Sequence, residues 1–117
     1  MEESLHEMSI AMSIVEIAET YAREENASKI LKITLDLGEH SGAVAESVEF
    51  CFDACSRGTM AEGSLLEINR IKAEALCAGC GETFHPKTTI FICPKCGDIG
   101  ANLVAGEELQ VRNMEVE

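Results

Sequence analysis

The stretch CAGCGETFHPKTTIFICPKC, Cys77 to Cys96, holds two CxxC pairs separated by twelve residues. Each pair has the form of a knuckle, because a glycine, Gly81 or Gly97, follows the second cysteine where the chain must turn tightly around a ligand. Two knuckles bring Cys77, Cys80, Cys93 and Cys96 to one tetrahedral four-sulfur site. The softness of that donor set fits Zn(II), with a rubredoxin-like iron as the alternative. A redox dithiol would place its CxxC at a helix N-terminus after a strand, and neither pair has that setting. Four protein thiolates leave a metal no open position, so the site cannot activate water and its role is structural. His85 lies between the knuckles. With the four sulfurs completing the shell, it reads as a solvated loop residue.

Outward from the knuckles, residues 75–104 differ in composition from the rest. They contain both prolines of the chain and few long aliphatic side chains. So short a segment cannot bury a core, and the metal supplies most of its folding free energy. We therefore expect an inserted zinc-ribbon domain over 75–104, splitting a parent α/β unit into 1–74 and 105–117.

The flanks carry the periodicities of that parent unit. From Ser4 to Arg23, Met8, Ile10, Ala11, Ile14, Val15, Ile17, Ala18 and Tyr21 fill one arc of a helix, and polar residues fill the other. Over Lys29–Leu37, Leu31, Ile33, Leu35 and Leu37 alternate with Lys32, Thr34 and Asp36, the pattern of a half-buried strand. A turn follows at Gly38–Gly42, then a second helix over Ala43–Arg57 that ends before Gly58. Further strands are predicted over Leu65–Ile71 and Glu107–Val116. In the last, Leu109 and Val111 alternate with polar neighbours, but Met114 and Val116 resume one residue out of phase, which predicts a bulge. The fold class is α+β: two helices and three strands, with the four-cysteine ribbon inserted before the final strand.

Composition narrows the function. The chain has 117 residues, 46% of them hydrophobic, and a formal net charge of −12. That field repels phosphate backbones, and four Phe with one Tyr offer little for base stacking, so nucleic acid is an unsuitable partner. The apolar runs are too short to cross a bilayer and the N-terminus MEESLHEMSI is acidic, so we expect no membrane association and a cytoplasmic location. In a reducing compartment the six cysteines are not disulfides. Cys51 and Cys55 lie on the apolar stripe of the second helix, where free cysteine packs as a small hydrophobe. His40, in a turn beside Glu39, reads as solvated.

One site remains open at the other end of the chain. His6 falls on the polar edge of the first helix, beside Glu7. The segments HEMSIAMSIVEIAE, ITLDLGEHSG, GTMAEGSLLEI, CxxCG with CPKCG, and GEELQVRNMEVE, in that order, resemble the HypA/HybF family of hydrogenase-maturation nickel metallochaperones. The resemblance runs from His6 to Glu117. It implies a non-enzymatic protein that hands a transferable Ni(II) to the [NiFe]-hydrogenase large subunit precursor, working with a HypB-type GTPase, with some members also serving urease maturation. It implies nickel binding at His6, support from Glu7, and structural Zn(II) on Cys77, Cys80, Cys93 and Cys96. An imidazole followed by deprotonated main-chain amides supplies the nitrogen-rich, near-planar set that nickel prefers.

This chain departs from the family in placing five residues before that histidine, where the family has a single methionine. Either Glu2, Glu3 or Glu7 supplies an oxygen in place of the terminal amine, or translation starts at Leu5. The competing functional reading is a zinc-ribbon adaptor that binds protein only; a zinc-to-nickel stoichiometry separates the two.

Overall fold

The computed structural model describes residues 2–88 and 90–117, with the backbone alone for residues 2–5. The side chains of Glu2 and Glu3 and the amine of Met1, weighed above as nickel donors, lie outside the described residues.

Helix α1 spans Glu2–Glu24. Its buried face is Ile10, Ala11, Ile14, Val15, Ala18 and Ala22, a stripe at three- and four-residue spacing. Ala11, Ala18 and Ala22 are wholly inaccessible, and their small size lets α1 lie close against its neighbours. Strand β1, Ile30–Gly38, follows, then helix α2, Ala45–Ser56, and strand β2, Leu65–Ile71. Because α2 carries the chain between β1 and β2, these two strands are parallel. The core is closed by Ile30, Ile33 and Leu35 of β1 beneath α1 and the α2 face of Val48, Cys51 and Phe52.

Three short strands interrupt the path to the last strand of this sheet: β3 at Glu74–Cys77, β4 at Thr83–Phe84 and β5 at Ala101–Ala105. They form their own antiparallel sheet in the order β4-β3-β5. Strand β6, Leu109–Val116, then returns antiparallel to β1 and completes the order β2-β1-β6. The α+β class is as expected from sequence.

Two bulges set the register of β1 against β6. Thr34 faces Asn113 and Leu35 faces Val111, so Arg112 is the extra residue, the phase slip expected in the last strand. A second irregularity falls between Ile30 and Lys32. It reverses an expectation: Leu31 is turned out, 44% exposed, and Ile30 takes the inward position. Ile17 and Tyr21 also differ from expectation, being 43% and 57% exposed. Here α1 leaves an open groove of about 320 Å3 along the edge strand β6, lined by Ile10, Ile14, Ile17, Leu109 and Val111, with His6 on its rim.

The chain passes between the sheets at a crowded crossing. The Gly38 N–H donates to Glu108 O at 2.7 Å and the His40 N–H to Gly106 O at 2.6 Å. Gly106 adopts φ +112°, and a side chain on it would collide with the Ala73 backbone, so glycine is required there. His85 Nδ1 lies 2.8 Å from Ala73 O. The His40 ring meets Phe91 with ring centroids 5.9 Å apart. His85 is an exposed loop residue, as expected, with one ring nitrogen tied to the crossing; His40 is half-buried in its turn and packs on an aromatic ring.

Among the described residues no helix is long and apolar enough to cross a membrane.

Candidate metal centres

The two knuckles are built alike. In the first, the Gly81 N–H donates to Cys77 O at 2.9 Å and the Cys77 N–H to Glu82 O at 2.8 Å; in the second, Gly97 donates to Cys93 O at 2.9 Å and Cys93 to Asp98 O at 2.9 Å. Each turn needs a left-handed residue after its second cysteine, and Gly81 and Gly97 supply it at φ +76° and +77°. Strand β3 delivers Cys77 to the first knuckle, while Cys93 ends the loop that leads to the second.

The knuckles meet across their sulfurs. Cys77 and Cys96 Sγ are 3.6 Å apart, Cys80 and Cys93 Sγ 3.7 Å, and all four ligand atoms lie within 4.8 Å of one another. A tetrahedral ion with bonds of about 2.3 Å to sulfur needs edges of about 3.8 Å, so the spacing fits the group. His85 is not in this cluster. Cys77 and Cys93 are buried, Cys80 and Cys96 exposed. Main-chain N–H groups of Cys96 and Lys95 hold the Cys93 thiol down to about 7. At Cys96 an N–H from Asp98 acts in the same sense, but the Cys77 thiol and burial outweigh it and push Cys96 up to about 12. Four thiolates packed this closely cannot all ionise without a cation among them.

At the N-terminal end the structure separates two neighbouring residues. His6 is exposed on α1, as its place on the polar edge predicted. Glu7 is 1% exposed and turned inward. Its Oε2 accepts the N–H of Val44 at 3.0 Å, and its Oε1 is buried without a partner among the described residues. Val44 caps α2 and has no side-chain cap of its own, so Glu7 serves as the cap from across the interface.

Sequence reasoning missed a polar cluster on the sheet face away from the helices. Asp36 is 2% exposed, and Arg112 Nε reaches its two oxygens at 3.0 and 2.9 Å while Asn69 Nδ2 donates at 3.1 Å. Burial alone would raise the Asp36 carboxyl, but hydrogen bonds from Asn69 and Arg112 and the Arg112 charge hold it below its ordinary value. The signal was plain alternation: Gln110 pairs with Asp36 across the strands, and Arg112, two residues on, shares that face.

The fold and the four-sulfur cluster together define a metal-binding α+β protein with a zinc-ribbon insertion. Residues 5–116 match the family described as "Hydrogenase/urease nickel incorporation, metallochaperone", and the chain belongs to this HypA family. Similar proteins are the hydrogenase maturation factors HypA of Geobacter sulfurreducens, 47% identical, and of Chlorobium limicola, 41% identical. Each aligns over 97% of this chain, covering 100% and 97% of the relative. The fold is shared with a HypA protein solved in solution, at TM-score 0.73 and 23% identity over 97% of both chains. It is shared too with the Ni metallochaperone HypA from Helicobacter pylori, at TM-score 0.66 and 23% identity, covering 94% of this chain and 96% of that one.

Proposed function

We propose that this protein takes up Ni(II) at His6 and delivers it to the [NiFe]-hydrogenase large subunit precursor in the cytoplasm, in cooperation with a HypB-type GTPase and without catalysing a reaction. Zn(II) on Cys77, Cys80, Cys93 and Cys96 is the structural metal, holding the insertion 75–104 folded beside the nickel-binding unit 1–74 and 105–117. The observation that carries the assignment of His6 is the contrast with its neighbour: Glu7 is buried and tied to α2, whereas the His6 imidazole is presented to solvent on the rim of an open groove.

The helix around His6 sets the terms of binding. With α1 beginning at Glu2, the His6 N–H falls inside the helical hydrogen-bond ladder, and only the amides before it lack internal carbonyl partners. Nickel coordination by main-chain nitrogen at His6 therefore competes with the helix, and uptake unwinds the turn before Met8. Glu7, anchored through Val44, limits how far that unwinding runs. Its supporting role is to fix the site's inner boundary, not to donate to the metal.

Weak, reversible binding follows from a site that must give up helical hydrogen bonds to form, which suits a carrier. Nickel titration of the zinc-loaded protein beside a His6→Ala variant tests the reading. One exchangeable nickel, lost in the variant with zinc retained, is expected; equal nickel uptake by the variant would move the site elsewhere.

A further inference from the structure

The α1/α2 interface holds a second group of metal-ligating side chains, away from the ribbon and from His6. Cys51 and Cys55 stand one turn apart on the inner face of α2, and Met8 of α1 meets Cys55 from the opposite side. The Cys55 thiol donates to Met8 Sδ at 3.2 Å. Cys51 is buried, while Cys55 is half-buried and leaves a path from solvent. The contact brings a soft donor from each helix to one point of the interface.

We propose that Cys51, Cys55 and Met8 form a three-sulfur site for a soft monovalent cation, Cu(I) in particular. Two thiols and a thioether are soft donors, the class that selects Cu(I) over Ni(II) or Mg(II). Three donors suit an ion that accepts trigonal coordination, and a single positive charge costs less to bury than a divalent one. Burial and the neighbouring Cys51 keep the Cys55 thiol above its usual range, so without a cation that thiol stays protonated and unreactive. On binding, each thiol releases its proton to solvent as its sulfur takes up the ion, no electron is transferred, and uptake therefore weakens as the pH falls. The ion would cross-link α1 to α2 two residues beyond His6.

This inference is independent of the nickel reading, and its test separates the two. The full, zinc-loaded chain is titrated anaerobically with Cu(I) held by a chromophoric chelator, with a zinc-responsive dye reporting release from the ribbon. We expect one equivalent of Cu(I) taken up with zinc retained, and X-ray absorption showing a sulfur-only shell. Cys51→Ala and Cys55→Ala should each lose that equivalent. Met8→Leu, which preserves the packing, should weaken it by roughly tenfold, and His6→Ala should leave it unchanged. No uptake at all, uptake matched by zinc release, nitrogen in the metal shell, or undiminished uptake in Cys55→Ala with Met8→Leu would each overturn the proposal.

Discussion

Glu7 and Val44, thirty-seven residues apart in sequence, are joined by a hydrogen bond of 3.0 Å in which the carboxylate caps the N-terminus of α2 from α1. The bond couples the turn that presents His6 to the helix that closes the core. Glu7→Ala removes the cap and leaves a small void, and should cost about 1–2 kcal/mol. Thermal unfolding of the zinc-loaded protein checks this, with zinc content unchanged. If the variant keeps its melting temperature but loses nickel affinity, Glu7 is a ligand and not an anchor.

His6→Ala should leave folding and zinc content almost untouched, because an exposed side chain contributes little to stability. In the parent protein, nickel uptake should lower helical circular dichroism slightly and shift the amide signals of residues before Met8, while those of α2 stay put. Protons compete with nickel for the imidazole nitrogen, so acidification should release the metal. Nickel binding with an unchanged α1 would show that main-chain nitrogen at His6 takes no part.

Cys→Ser at Cys77, Cys80, Cys93 or Cys96 should release zinc and unfold the β4-β3-β5 sheet while the signal of α1 and α2 persists, since the helices share a core of their own. Zinc stoichiometry and circular dichroism read this directly. Cys51→Ala and Cys55→Ala should retain full zinc, because they belong to the α1/α2 interface.

Arg112→Gln strips Asp36 of its cation and leaves a buried carboxylate underbonded, at a cost of about 1–3 kcal/mol near neutral pH. The sign with pH is fixed by the depressed carboxyl: the stabilisation from Arg112 and Asn69 is present above the ordinary carboxylate range and is lost as the pH falls through the lower folded value. Urea unfolding of parent and variant should differ most near neutrality and converge in acid. A difference that grows on acidification would contradict the assignment.

Much of this architecture could be read from residue type and spacing. Gly81 and Gly97 announced the knuckles because only a left-handed residue fits after the second cysteine, and the slip between Val111 and Met114 announced a bulge. What escaped was pairwise and long-range. Leu31 looked inward by alternation, yet a register shift against β6 exchanged it with Ile30. Glu7 sits beside an exposed histidine in a polar-looking sequence, and nothing local tells that Val44 lacks a cap. The Met8–Cys55 contact was hidden for the same reason, since each residue separately has the pattern of ordinary core.

The path of the chain through the crossing at Ala73 and Gly106 bears on how fast the molecule folds. β6 cannot zip onto β1 until the whole insertion has come back to its starting point, so the first sheet waits on a long loop closure. A metal ion gripping both knuckles draws β3 and β5 together and shortens that search before any long-range pairing of β6 exists. Zinc would thus act as a kinetic aid to a sheet it never touches: refolding from denaturant should be slower without it, even for probes that report only on β1 and β6.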